Sequence, residues 1–285
     1  MIKYLKLLRV HHYIKNLLVF AALACSGKIF DLHKLATALV AFLAFCAISS
    51  AVYVINDIRD KEKDKLHPTK CKRPLASEEI SVKTAWVLVA ILILIVIACS
   101  IKLCNISAAA LILLYFVLNL LYSFGLKNYP IVDITILVSG FLIRIYYGAI
   151  VTGISISNWL YLTVLAIAFF FAMGKRRNEL RSVGCETRAV LKGYPMGFLE
   201  KGMTMCLTLT NVFYALWTTD KTTMESYDRF AIYTVPIVLL ITLKYSINIE
   251  GDSDGDPVEV LLHDKVLLAL CVAYLLAMFT ILYLL

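Results

Sequence analysis

Residues 56–77 read NDIRDKEKDKLHPTKCKRPLAS and set Asn56, Asp57, Asp60 and Asp64 directly before His67, Lys70, Lys72 and Arg73. On a helix that advances about 100° per residue, with Asn56 as origin, Asp60 falls at about 40°, Asp64 at about 80° and Asp57 at about 100°. The four oxygen-bearing side chains then share roughly a quarter of the helix surface, while Arg59 and Glu62 point elsewhere. Carboxylates this close repel one another unless a cation sits among them. Hard oxygen donors suit Mg²⁺, which one or two carboxylates hold together with substrate phosphates. A solvated helix end screened by lysines accounts for the acidic spacing equally well. The residues that follow decide between the two, because Pro68 and Pro74 stop the helix and stiffen a loop of cations. A metal on one side with Lys and Arg on the other is what a diphosphate requires.

The elements that must carry this stretch are apolar. Of 285 residues, 61% are hydrophobic and only 17% charged, with a mean hydropathy of +0.81. Soluble domains are about half apolar, so the composition indicates an all-α integral membrane protein. The basic start MIKYLKLLRVHHYIKN leads into no small-residue cleavage pattern, and the first apolar stretch is expected to be retained. A span of about 20 apolar residues fits nine times, near 14–30, 35–55, 82–101, 106–124, 131–151, 158–174, 201–217, 229–247 and 266–285. The first is short and interrupted by Ser26, Gly27 and Lys28. No internal repeat or low-complexity segment stands out, so residues 1–285 are expected to form one polytopic domain.

Lys and Arg collect in the N-terminal arm (Lys3, Lys6, Arg9, Lys15), around 56–83, at Lys127 and in 174–201, and alternate with lean loops at 101–106, 151–157 and 218–228. The positive-inside rule then puts the N-terminus and every chemistry-bearing loop on the cytoplasmic side of the cell membrane. The net charge of +8 is read as orientation and attraction to anionic membrane lipids, not as nucleic-acid binding. None of the eight cysteines forms a CxxC pair, and most lie in apolar runs as small hydrophobes. A water-facing enzyme site on a membrane bundle fits this pattern better than a transporter, whose ionisable residues concentrate near mid-membrane.

The pattern NDIRDKEKD…RPLAS resembles the NDxxDxxxD…RPL signature of UbiA-type membrane transferases. The resemblance implies a nine-transmembrane-helix bundle, and a Mg²⁺ and donor-diphosphate site at Asn56, Asp57, Asp60 and Asp64, followed by Arg73, Pro74 and Leu75. Glu78 stands where the family pattern has glycine. The ordinary prenyltransferases of the family carry a second acidic motif, roughly DxxYAxxD, after the sixth helix. Here FFFAMGKRRNEL replaces it, and Lys175, Arg176 and Glu179 fall within about 100° of each other on a helix. Together with LRVHHYIKNLLVF and GDSDGDPVEVLLHDKVL, this is similar to the branch that transfers phosphoribosyl from phosphoribosyl pyrophosphate to a polyprenyl phosphate. Two phosphorylated substrates need many cations, and Lys15, Lys70, Arg73, Lys127, Lys175 and Arg176 are available. The 175–177 cluster is expected to bind the lipid phosphate or the ribose 5-phosphate.

Further candidates are Asn16 beside Lys15, Tyr122 beside the Lys127 turn, and Asp133 at the start of the fifth span. Arg144 follows eleven residues later, roughly 16 Å deeper on a helix. An intramembrane arginine is a functional candidate by default, with structural pairing as the alternative. Gly140 and Gly148 on the same stripe fit close helix packing. GDSDGD at 251–256 lacks EF-hand spacing, and His11 and His12 read as interfacial. The competing readings are a prenyltransferase using an isoprenyl diphosphate and an aromatic acceptor, and a non-enzymatic transporter. The sequence leaves a homo-oligomer open.

Overall fold

A computed structural model describes residues 2–66, 70–183, 189–251 and 257–284. His67, Pro68, Cys185 and the acidic stretch after Gly251 lie outside them. The helices are α1 (Ile2–Leu8), α2 (Ala21–Ala24), α3 (Leu32–Arg59), α4 (Lys61–Lys65), α5 (Val82–Leu103), α6 (Ile106–Phe124), α7 (Val132–Thr152), α8 (Asn158–Val183), α9 (Met196–Thr218), α10 (Lys221–Tyr227), α11 (Val235–Glu250), α12 (Pro257–His263) and α13 (Lys265–Tyr283). Short 3₁₀ turns join several of them, and no strand occurs among the described residues.

Each of the nine expected spans falls on a helical segment. Among the described residues, seven are long and apolar enough to cross a membrane: Leu32–Arg59, Val82–Leu103, Ile106–Phe124, Val132–Thr152, Asn158–Ser182, Phe230–Glu250 and Lys265–Tyr283. The other two differ for separate reasons. α9 has the length, but Glu200, Lys201 and its threonines dilute its apolar face. The first span is a 3₁₀ segment, Val10–Phe20, running into the four-residue α2.

α5 shows how these helices sit in lipid. Ala85, Val89, Leu92 and Val96 form its buried stripe, while Val87, Ile91, Leu94, Ile97 and Ile101 form an exposed stripe just as apolar. A helix hydrophobic all round belongs in a protein core or in a membrane, and the exposed stripe selects the membrane. Local chemistry sets the ends. Asp31 accepts from the His33 and Lys34 amides, Ser81 from that of Thr84, and Asp264 from that of Leu267. These are the capping interactions that satisfy the first free N–H groups of a helix.

The chain forms two compact units, Met1–Phe124 with Ile143–Ile154, and Gly125–Leu142 with Ser155–Leu285. α7 contributes its first half to the second unit and its later half to the first. In the first unit α3 is central and packs on α1, α5, α6 and the Val10–Phe20 segment. Ala41, Ala44, Ala47 and Ala51 keep its surface low around Phe45 and Ile48. A Cβ at Gly148 would lie 1.8 Å from the Val19 carbonyl oxygen, so only glycine admits this approach. In the second unit α8 and α9 pair closely, with Gly202 under the Met173 sulfur and Gly174 under Ile249. The core there includes Ile134, Phe170, Met173, Tyr194, Leu199, Met203 and Tyr245.

Candidate active site

In the first unit the acidic face forms at the end of α3. The helix runs to Arg59, breaks at Asp60 and resumes as α4, but the i→i−4 bonding continues across the break. The Asp60 amide donates to the Asn56 carbonyl at 2.9 Å, and the Asp64 amide to that of Asp60 at 2.8 Å. The shared face predicted for 56–64 therefore survives. Asp57 and Asp64 are buried, Asn56 and Asp60 half-buried. Arg59 leaves this face to stack over the Phe124 ring, and Glu62 pairs with Lys65.

Arg73 closes the arrangement. Its Nη1 donates to Asp57 Oδ1 at 3.1 Å and to Asp64 Oδ2 at 2.7 Å, so one positive group bridges the two buried carboxylates. Leu75, fully buried two residues on, anchors that loop. Arg9 approaches from the N-terminal arm and donates to the same Asp57 Oδ1 at 2.7 Å, its guanidinium 4.7 Å from the Tyr53 ring centroid. Ser123 donates to Asn56 Oδ1 at 3.0 Å, orienting that amide. Lys70 is exposed and opens the turn Lys70–Lys72, whose first carbonyl accepts from the Arg73 amide.

Among the described residues no three His, Cys, Asp or Glu side chains gather closely enough to enclose a metal. The oxygens nonetheless fit a hard cation, because Asp57 Oδ1 and Asp64 Oδ2 converge on one point, which a nitrogen of the Arg73 guanidinium takes here.

Glu78 occupies a left-handed backbone conformation, φ 61°. That conformation suits the glycine of the family pattern better than a residue with a side chain. The chain tolerates glutamate because its carboxylate pairs with Lys65 at 2.9 Å and Lys61 at 3.2 Å. Those hydrogen bonds, Lys65 first, hold the Glu78 carboxyl below its usual range and raise the Lys65 ammonium.

Deeper in this unit Asn16 and Arg144 meet. Arg144 Nε donates to Asn16 Oδ1 at 2.8 Å and Nη2 to the Tyr115 hydroxyl at 3.3 Å, with the guanidinium over the Phe45 and Tyr115 rings. Asn16 Nδ2 in turn donates to Ser49 Oγ and Cys46 Sγ. This polar cluster among helices is the structural pairing held as the alternative for Arg144. Lys15 and Tyr122 are half-buried.

A second cluster lies in the other unit. Asp133, fully buried in the first turn of α7, uses both carboxylate oxygens: Oδ2 accepts from Arg176 Nε at 2.7 Å and Oδ1 from the Tyr194 hydroxyl at 2.5 Å. Arg176 also pairs with Glu179 through Nη1. The Tyr194 hydroxyl accepts in turn from the Ile131 amide at 2.6 Å. Burial, and next the hydrogen bond to Asp133, push the Tyr194 hydroxyl above its ordinary pKa. Ile131 has φ 67°, a conformation that costs a β-branched residue on the order of 1–3 kcal/mol. Lys127 and Lys175 are half-buried. The Lys175–Arg176–Glu179 set predicted from the helical wheel thus shares one helix, but Arg176 turns inward onto Asp133.

Arg9, Ser123 and Tyr194 are the residues that sequence reasoning missed. Arg9 lies inside the stretch LRVHHYIKN, where it reads only as one of the arm's basic residues, and Ser123 follows Tyr122. Nothing local marks Tyr194.

An NDxxDxxxD helix end neutralised by an arginine of RPL, on a bundle of apolar helices, defines an intramembrane transferase fold, and comparison agrees. The UbiA prenyltransferase family model matches residues 17–256, and the chain belongs to this family. Among its relatives, the decaprenyl-phosphate phosphoribosyltransferase of Mycolicibacterium smegmatis is 35% identical over 95% of this chain and 89% of its own length. That of Corynebacterium glutamicum is 34% identical over 95% of this chain and 83% of its own. A UbiA homologue from Archaeoglobus fulgidus, solved bound to GPP and Mg²⁺, superposes with a TM-score of 0.71 at 22% identity, covering 98% of this chain and 99% of that one. The family and the all-helical fold expected from the 56–77 motif are those found.

Proposed function

We propose that this protein is a polyprenyl-phosphate phosphoribosyltransferase that moves the 5-phosphoribosyl group of phosphoribosyl pyrophosphate onto a polyprenyl phosphate and releases diphosphate. The observation that carries the reading is the 34–35% identity, over 95% of the chain, to decaprenyl-phosphate phosphoribosyltransferases. The replacement of a second acidic motif by Lys175, Arg176 and Glu179 supports it, since an isoprenyl diphosphate donor in the ordinary family members goes with that second motif.

In this reading Asn56, Asp57, Asp60 and Asp64 would hold Mg²⁺. The metal, when bound, neutralises and orients the leaving group. Arg73, Arg9 and Lys70 bind the same diphosphate as fixed cations. A lipid phosphate oxygen attacks the anomeric carbon, the carbon–oxygen bond to diphosphate breaks, and the electron pair leaves with the diphosphate. The phosphate dianion is already nucleophilic, so no general base is required. Lys15, Lys127, Lys175 and Arg176 serve the remaining phosphates, with Tyr122, Asp133, Arg144 and Glu179 shaping their surroundings. Residues 1–285 work as one transferase domain in the cytoplasmic membrane, with the N-terminus and the basic loops on the cytoplasmic face.

The test is an assay of membranes given labelled phosphoribosyl pyrophosphate and polyprenyl phosphate, with and without EDTA. Lipid-extractable label that vanishes with EDTA is expected, and Asp60→Asn should abolish it while the protein stays folded. Transfer from an isoprenyl diphosphate instead would move the protein to the ordinary prenyltransferases, and near-normal turnover by Asp60→Asn would remove the metal assignment.

A further inference from the structure

The least comfortable backbone in the second unit is at Ile131, a β-branched residue in the left-handed region immediately before α7. Such residues are rare there, and they persist only when their surroundings over-determine them. On one side Ile131 is tied to α7, its carbonyl accepting from the Thr135 amide at 2.8 Å, and on the other its amide is held by a single side chain. The Tyr194 hydroxyl accepts the Ile131 amide hydrogen at 2.6 Å and donates its own hydrogen to Asp133 at 2.5 Å. The ring is held independently. It is buried, stacks on Phe198 and follows Gly193, where a Cβ would meet the Pro130 ring at 2.4 Å. The segment Ala189–Gly193 therefore lies flush against the turn that carries Lys127. Asp133 passes the constraint to Arg176, which is 1% exposed and held also by Glu179.

We propose that Tyr194 is a positioning residue, whose hydroxyl latches the Lys127–Asp133 turn in its strained form and, with the Asp133–Arg176 pair, holds that turn on α8, giving Lys127 one geometry for a substrate phosphate. It touches no substrate itself. The role rests on the phosphoribosyl-transfer reading above and concerns the phosphate that the acidic motif does not serve.

The variant Tyr194→Phe keeps the ring and its stacking but removes the hydroxyl. With the two substrates titrated separately, one KM should rise about tenfold to a hundredfold, the loss expected for hydrogen bonds to a buried carboxylate and a strained amide. The kcat at saturation should stay within about twofold, because a ground-state binding geometry is what is lost. Ile131→Asn supplies a residue that tolerates the left-handed conformation, so Ile131→Asn/Tyr194→Phe should recover the part of the KM loss that comes from the strained turn, with the bond to Asp133 still missing. Unchanged KM values in Tyr194→Phe, or a loss that the second substitution leaves intact, would overturn the proposal. Should Tyr194→Phe alone unfold, the double variant carries the same test: refolding with a KM within about tenfold of wild type supports the latch, and a larger rise or no refolding refutes it. Wild-type protein that transfers no phosphoribosyl group refutes the parent reading instead. Wild-type transfer with an unaffected Tyr194→Phe refutes only the latch.

Discussion

Arg9 and Glu78 show two ways in which single side chains hold the acidic motif together. Arg9 is one of two guanidiniums on a buried carboxylate. Replacing it by glutamine should lower the melting temperature by about 3–10 °C, the range for losing a charge-assisted bond in a chain of this size, read by thermal unfolding in detergent. Glu78 tests a balance between backbone and side chain. Glu78→Gly relieves the left-handed backbone as it loses the ion pairs, and should melt within about 2 °C of the parent. Glu78→Ala keeps the strain and loses the pairs, and should melt about 2–4 °C lower. At this scale the sequence was legible wherever chemistry is spaced locally. Asn56, Asp57, Asp60 and Asp64 share a face because helical periodicity put them there. Arg9, Ser123 and Tyr194 reach partners 48, 67 and 61 residues away, which no local periodicity can encode.

Helices were legible to the extent that lipid dictates their composition. α5 and α6 are apolar on every side, and the expected limits nearly coincide with the observed ones. The Val10–Phe20 segment resisted because a 3₁₀ stretch docked through Gly148 gains its place from a neighbour and not from its own length. α13 gives a pH-dependent test of how an end is fixed. Asp264 caps it and bonds Lys244 at 2.8 Å. The Lys244 bond first, then the Leu267 amide, lower its pKa from 3.8 to about 2. A depressed carboxyl stabilises the folded state above its unfolded value and loses that effect as pH falls through the folded one. Asp264→Ala should therefore melt about 2–4 °C below the parent at neutral pH. The gap should stay constant down to pH about 4 and close as the pH approaches about 2.

For the molecule as a whole, the alternation of basic and lean loops makes a claim that the helices alone do not. Cys104, exposed at the turn between α5 and α6, should react with a membrane-impermeant thiol reagent in intact cells. Cys71, in the loop after α4, should react only once the membrane is opened. The reverse result would invert the proposed orientation.

The quartet Arg9, Arg73, Asp57 and Asp64 contains two charges of each sign. Bare carboxylates at a helix end entering a bilayer are expensive to desolvate, yet this group is electrically neutral before any ligand arrives. Because the group carries its own counter-ions, assembly of this part of the bundle should not depend on metal supply. Protein produced and purified throughout in a chelator should melt as sharply, and at the same temperature, as protein never exposed to one.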